Sequence, residues 1–312
     1  MSFPLRHIIY FLFILTGLKG QEANYLGFEN INPKNNRVIF IGDTQITSHW
    51  EFWRERNEEK TQALLNEIAR RQPAFVVNLG DLLTRGASEK HWGYFDEFHK
   101  PLLKNKIPYF PVLGNHNYYG DNKKSLKYYF THFPYLKNQK WYSFTFRSVG
   151  FLMLDGNYLN LSKTERENEV NWYQRELKRM EADLKIRFII TCSHRPPFTN
   201  SKVISASKWL RQDFAEPFQK TKKASFFFTG HCHSYEKFLK GGKYFIVSGG
   251  GGGPRHRLET NKSKRHFNDL FDGPSLRFFH FCEMKIQRDK LVVQVIKLND
   301  NGTFSIADEI SF

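Results

Sequence analysis

Ala224-Ser225-Phe226-Phe227-Phe228-Thr229-Gly230-His231-Cys232-His233 is the stretch on which the fold turns. A short, largely apolar run ends at a glycine, and two imidazoles one residue apart follow. Such a run is a buried strand, and Gly230 permits the turn that lets both rings aim at one point beyond its carboxyl end. A lone His-x-His is weak evidence of a metal site. Four other short stretches end apolar runs in the same way, and each offers a metal-ligand type: Gly42-Asp43-Thr44-Gln45, Gly80-Asp81-Leu82-Leu83, Gly114-Asn115-His116-Asn117 and Ser193-His194-Arg195-Pro196-Pro197.

The apolar runs before these stretches predict strands at 37–41, 74–79, 107–113, 187–192 and 224–229, and a further one at 243–247. Helices are expected over 58–71, from a Ser88 N-cap to Leu103, from the capping box Ser162-Lys163-Thr164-Glu165 to about Leu184, and around 207–222. A strand pair is expected over 141–154, turning near Ser148-Val149-Gly150, and 118–140 reads as an excursion over the site. The repeated unit of strand, polar loop and helix implies an α/β fold. Its inner sheet is mainly parallel, with ligands beyond the strands' carboxyl ends. Apolar stretches in the tail suggest antiparallel strands closing a sheet. The five glycines Gly249 to Gly253 lack the Lys-Ser/Thr of a phosphate loop, so a flexible or tight-turning loop near the site is expected.

The 312 residues suffice for one large domain, and no linker or long repeat interrupts them. A single domain over 21–312 is expected, with its core at 37–253 and C-terminal strands at 276–310. Residues 1–20 read as a signal peptide: Arg6 and His7 precede an apolar run from Ile8 to Leu18, too short for a span of about 20 residues. Export to a periplasmic or extracellular space follows, with an uncleaved signal anchor as the alternative and no stable membrane span after cleavage. Three cysteines, Cys192, Cys232 and Cys282, permit at most one internal disulfide, so this is no disulfide scaffold; free thiols are expected at Cys192 and Cys232. The formal charge of +16 favours anionic partners. The lysines are scattered, which also fits a solvated coat, and no nucleic-acid-binding signature accompanies them.

Collected, Asp43, Gln45, Asp81, Asn115, His194, His231 and His233 are oxygen and imidazole donors without a thiolate. Such a set suits Mn, Fe or Zn. Seven side chains exceed one tetrahedral shell but suit two ions sharing a carboxylate. Two ions ~3.5–4 Å apart hold a bridging hydroxide and neutralise charge in an in-line displacement.

The ordered pattern Gly-Asp, Gly-Asp, Gly-Asn-His, Ser-His and Gly-His-x-His resembles the calcineurin-like metallophosphoesterases, in their purple-acid-phosphatase-like branch, from about Arg37 to Gly253. The resemblance implies a four-layer α/β/β/α sandwich of two mixed sheets flanked by helices. It implies hydrolysis of a small-molecule phosphoric mono- or diester by a metal-bridging hydroxide at two divalent or trivalent ions. It assigns Asp43, Gln45 and His233 to the first metal, Asp81 to both, and Asn115, His194 and His231 to the second. His116 is then the general acid, Asn115 also steadies the phosphoryl group, and Arg195 meets a phosphate oxygen, unless it is simply solvated or ion-paired.

Two departures from the family pattern stand out. Gln45 takes the place of the usual His, and Asn117 that of the Asp or Glu that orients His116. Thr84 stands where purple acid phosphatases carry a metal-binding Tyr. Gln45 and Asn117 motivate an alternative, a non-catalytic anion- or polymer-binding protein on a degenerate scaffold. Asp155 is a candidate orienting residue or a loop cap, and Trp50, Trp53, Tyr118, Tyr119 and Tyr158 are candidates for the substrate mouth. The remaining histidines carry no pattern, with His49 and His256 the least settled.

Overall fold

The computed structural model describes residues 25–47, 51 and 53–312; the expected signal peptide, His49 and Trp50 lie outside them. In chain order the main elements are β1 (Arg37–Ile41), α1 (Glu58–Arg71), β2 (Phe75–Asn78), α2 (Glu89–Lys104), β3 (Tyr109–Pro111), α3 (Asn122–His132), β4 (Tyr142–Phe146), β5 (Val149–Met153), α4 (Lys163–Ala182), β6 (Phe188–Ser193), α5 (Glu216–Lys220), β7 (Ala224–Thr229), β8 (Tyr235–Lys240), β9 (Lys243–Ser248), β10 (His280–Ile286), β11 (Leu291–Leu298) and β12 (Phe304–Ser311). The strands form two sheets, in the orders β12-β11-β10-β1-β2-β3 and β4-β5-β6-β7-β9-β8. Both are mixed. β1, β2 and β3 run parallel in the first, as do β5, β6, β7 and β9 in the second, with antiparallel strands at the flanks.

The parallel strands are buried on both faces, which is why their sequences are unbroken apolar runs rather than alternations. The sheets pack face to face through aromatic rings: Phe40 stacks on Phe228 with centroids 4.0 Å apart, Phe110 lies 4.8 Å from Phe144, and Phe75 lies 5.5 Å from Phe151. The outer face of the first sheet is covered by α1 through Leu64, Leu65 and Ile68, and by α2 through Trp92 and Phe95. The outer face of the second is covered by Tyr173, Leu177 and Met180 of α4 and by Phe214 and Phe218 around α5. The architecture is the four-layer sandwich.

Local signals act where expected. The Ser88 side chain accepts from His91 N, and Ser162 and Glu165 form the reciprocal capping box that starts α4. Other expectations need correction. β3 is only three residues long, because Pro108 and Pro111 cannot donate to a ladder and confine it to the sheet edge. The β4–β5 turn is made by Arg147 and Ser148, with Arg147 at φ 54, so Val149 and Gly150 belong to the strand. The helix before β7 is interrupted by a π-helical turn at Leu210–Ala215. β8 was not anticipated. In the excursion, α3 packs on α2 and β3, with His132 stacked on Trp92 at 4.1 Å and Tyr129 donating to the Pro111 carbonyl.

Candidate metal centre

Each sheet delivers its candidate ligands from the carboxyl ends of its parallel strands. Asp43 follows β1, Asp81 follows β2 and Asn115 follows β3, whereas His194 follows β6 and His231 and His233 follow β7. The chain bends sharply at these exits. Asp43, Asp81 and His231 have φ of 61, 52 and 65, a left-handed backbone unusual for residues other than glycine. Such strain persists where the surroundings enforce it, and it clusters at functional sites. Here hydrogen bonds enforce it: His231 N donates to both Asp43 carboxylate oxygens (2.9 and 3.1 Å), and His116 N donates to Asp81 Oδ1 (2.8 Å).

The structure brings the ligand atoms of Asp43, Asp81 and His233 within 4.8 Å of one another, and likewise those of Asp81, His194 and His231. Asp81 belongs to both groups. Gln45 and Asn115 adjoin one group each: Gln45 meets His233 Nε2 at 3.2 Å, and Asn115 Oδ1 meets His194 Nε2 at 3.1 Å.

Backbone carbonyls fix the tautomers of three rings. His194 Nδ1–H donates to Leu79 O (2.9 Å), His233 Nδ1–H to Pro254 O (2.8 Å) and His116 Nδ1–H to Thr84 O (2.8 Å). The Nε2 lone pairs of His194 and His233 then face inward. His194 Nε2 meets Asp81 Oδ2 at 3.2 Å and Asn115 Oδ1, both acceptors. His233 Nε2 meets Asp43 Oδ1 at 3.4 Å. The Gln45 amide nitrogen donates to the carbonyls of Asp43 and Asp81, which turns its oxygen toward His233 as well. A cation placed between these imidazole nitrogens and the carboxylate and amide oxygens would satisfy all of them at once, so the donor set fits metal ions.

The charges are mutually dependent. Burial would raise Asp81, but His194 and His116 beside it hold its carboxyl well below the usual carboxylate range. Burial opposes charge on His194, yet Asp81 raises its pKa. Burial, with His194 and Arg195 alongside, pushes His231 well below its ordinary value. Arg195 Nη1 donates to His231 Nε2 (3.1 Å), leaving the ring proton on Nδ1 toward His194 Nε2 (3.0 Å). A cation held between His194 and His231 would take the place of that proton.

Several expected roles change. Asn117 does not hold the His116 ring; its Oδ1 accepts from Gly114 N (2.9 Å) and Asp81 N (3.1 Å) and so shapes the loop. Thr84 supplies the orienting carbonyl instead. Asp155 touches no candidate ligand: it accepts from Tyr118 Oη and from Asn157 Nδ2, tying loops together. Tyr118 is therefore buried packing, while Trp53, Tyr119 and Tyr158 are exposed. His256, without a pattern in the sequence, stacks on His233 at 4.2 Å and 12°, and His233 N donates to its Nδ1 (3.3 Å). The glycine run is buried and closely packed: Gly251 N and Gly253 N donate to the carbonyls of Gly42 (2.9 Å) and Asp43 (2.8 Å). All three cysteines are buried free thiols. No helix among the described residues is long and apolar enough to cross a membrane.

A sequence model of the calcineurin-like phosphoesterases matches residues 36–235. No curated protein matches the sequence. Among solved structures, a purple acid phosphatase from yellow lupin (Lupinus luteus) seeds is similar with a TM-score of 0.67 and 16% identity over 88% of this chain and 53% of that one. The chain thus spans about half the length of the lupin protein. GAP50 of Plasmodium, described as an anchor in the inner membrane complex, has a TM-score of 0.65 and 15% identity over 88% of both chains. A dimetal phosphatase from Danio rerio has a TM-score of 0.56 and 13% identity over 88% of this chain and 98% of that one. At these identities the likeness is one of fold.

Proposed function

We propose a metal-dependent hydrolase of phosphate esters, because the chain belongs to the calcineurin-like phosphoesterase family and carries two clusters of donors that share one carboxylate. That sharing, at Asp81, is the observation on which the proposal rests. In this reading Asp43, Gln45 and His233 hold one ion, Asn115, His194 and His231 hold the other, and Asp81 serves both. Two ions of Mn, Fe or Zn type, when bound, supply the charge that acidifies water and neutralises phosphoryl oxygens. His116 keeps Nδ1–H on Thr84, so the proton it gives the leaving oxygen resides on Nε2, 3.9 Å from Asp81 Oδ2. Asn115, whose Nδ2 donates to Tyr119 Oη (3.4 Å), would steady a phosphoryl oxygen, and Arg195 would supply a second donor to it. The basic, apolar start of the chain supports export, to a periplasmic or extracellular space.

The test is metal content together with turnover of p-nitrophenyl phosphate and bis(p-nitrophenyl) phosphate. Chelation is expected to abolish turnover and one of Mn, Fe or Zn to restore it. Bound metal with no turnover of any ester defeats the proposal. It would favour the second reading, an anion- or polymer-binding protein, which is motivated by the amide at Gln45 and by the fold shared with the anchor protein GAP50.

A further inference from the structure

A cleft of about 980 Å³ opens beside the metal centre, between the start of α4 and residues 205–213. It is far larger than one phosphoryl group needs and matches the ~300–1,000 Å³ of sites that take drug-sized ligands. Arg195 joins the two spaces, since it both lines the cleft and donates to His231. The loop at the rim is tied to the centre as well: Asn157 Nδ2 donates to Leu113 O (2.7 Å), two residues before Asn115.

The walls are aromatic and basic. Tyr158 and Trp209 meet edge-on with centroids 5.3 Å apart, and the Arg166 guanidinium lies 4.0 Å over the Tyr158 ring. Tyr158 is 42% exposed and its neighbour Leu159 86% exposed, so apolar surface is left uncovered at the rim. Among the described residues the lining cations are Lys163, Arg166, Arg195 and Lys208, against the carboxylates Glu167 and Asp213. Trp209 directly precedes the π-helical turn at Leu210–Ala215, a geometry found often at functional sites.

We infer that this cleft is the leaving-group subsite, built for a phosphate ester or anhydride whose leaving group joins a flat aromatic ring to a second negative charge. The inference rests on the proposed phosphoesterase activity and names its substrate class. The terminal phosphoryl group sits at the metal centre, the second anionic group passes Arg195 and Lys208, and the ring lies against Trp209 and Tyr158. Stacking on an aromatic face and pairing with guanidinium or ammonium groups supply the recognition.

Adenosine 5′-diphosphate is a suitable probe and phenyl phosphate its small control. In hydrolysis the bond between the terminal phosphorus and the bridging oxygen breaks, water supplies the new oxygen on phosphorus, and the bridging oxygen leaves on AMP with the proton from His116. The metal-loaded protein is expected to prefer the diphosphate in kcat/KM by about tenfold. Trp209→Ala and Lys208→Ser should each erode that preference at least fivefold, through KM, with phenyl phosphate unchanged within twofold. Lys208 is exposed, so its variant carries the test if Trp209→Ala does not fold. A preference unaltered in both overturns the inference. Calorimetric binding of AMP to the metal-free protein separates the two claims. Binding weakened at least fivefold by the variants upholds the subsite even where no ester turns over, and binding they leave unchanged refutes it.

Discussion

His116 is held by a backbone carbonyl rather than by a charged neighbour. Its side chain is 25% exposed, and Nδ1–H donates to Thr84 O, whose own side chain donates to Ile46 O (2.6 Å). The ring is thereby oriented with Nε2 turned toward Asp81 and free of the backbone, the geometry a proton donor needs. His116→Ala is expected to keep its bound metal, checked by elemental analysis. It should slow an alkyl phosphate by about 10²–10⁴-fold and an aryl phosphate with a good leaving group much less. Metal lost with the ring would reassign His116 as a ligand. The seven candidate donors were legible in sequence because each follows an apolar run at a strand exit. The partners of Asn117 were not, because they are backbone N–H groups of Gly114 and Asp81, placed by a turn that side-chain identities do not reveal. His256 was hidden for a related reason: its contact with His233 is a ring stack between loops.

The glycine run shows how an element can be functional without any side chain. A Cβ at Gly249 would lie 2.2 Å from Cys232 O and 2.6 Å from Asp43 Oδ2, and one at Gly253 would lie 2.6 Å from the His233 ring. The run follows β9 and lets backbone pack directly behind two candidate ligands. Gly249→Ala should therefore displace Asp43, weaken metal binding by tenfold or more in an equilibrium titration, and lower thermal stability by several degrees. A variant that titrates as the parent does would show that this packing is not needed. The helices α1 and α4 were legible to within about two residues, since caps and helical spacing act locally. β8 escaped because Tyr235-Glu236-Lys237-Phe238-Leu239-Lys240 mixes charge with apolar residues, and its pairing with β9 depends on a neighbour in space. α3 escaped because an aromatic, basic stretch has no strong period, and its packing on Trp92 and Pro111 decides its place.

Across the whole molecule, burial sets the response to acid. Burial holds His99 neutral, with its pKa lowered to about 3, and lowers His280 to about 4, both from an ordinary 6.5. The unfolded chain binds these protons first. The stability they contribute is present above 6.5 and is lost as pH falls toward 3–4, at up to ~1.4 kcal/mol per pH unit for each ring. Glu236 and Asp155 act in the opposite sense, because burial raises them to about 7 and about 6; their contribution is present at acid pH and lost as pH rises through those values. The two sets oppose each other above the ordinary carboxylate range, and the fall steepens below it. His99→Gln should flatten the decline in unfolding free energy between pH 6 and 4 by about one proton's worth, read from denaturant titrations. An unchanged slope would rule out a buried neutral His99.

The division of donors between the sheets has its own consequence. The carboxylates and amides all come from the sheet containing β1, and the imidazoles assigned to the metals all come from the sheet containing β6. Neither half alone offers a mixed coordination shell, so capture of a cation reports that the halves have docked. A folding intermediate with one sheet formed would offer added metal only half of its donors, oxygens alone or imidazoles alone.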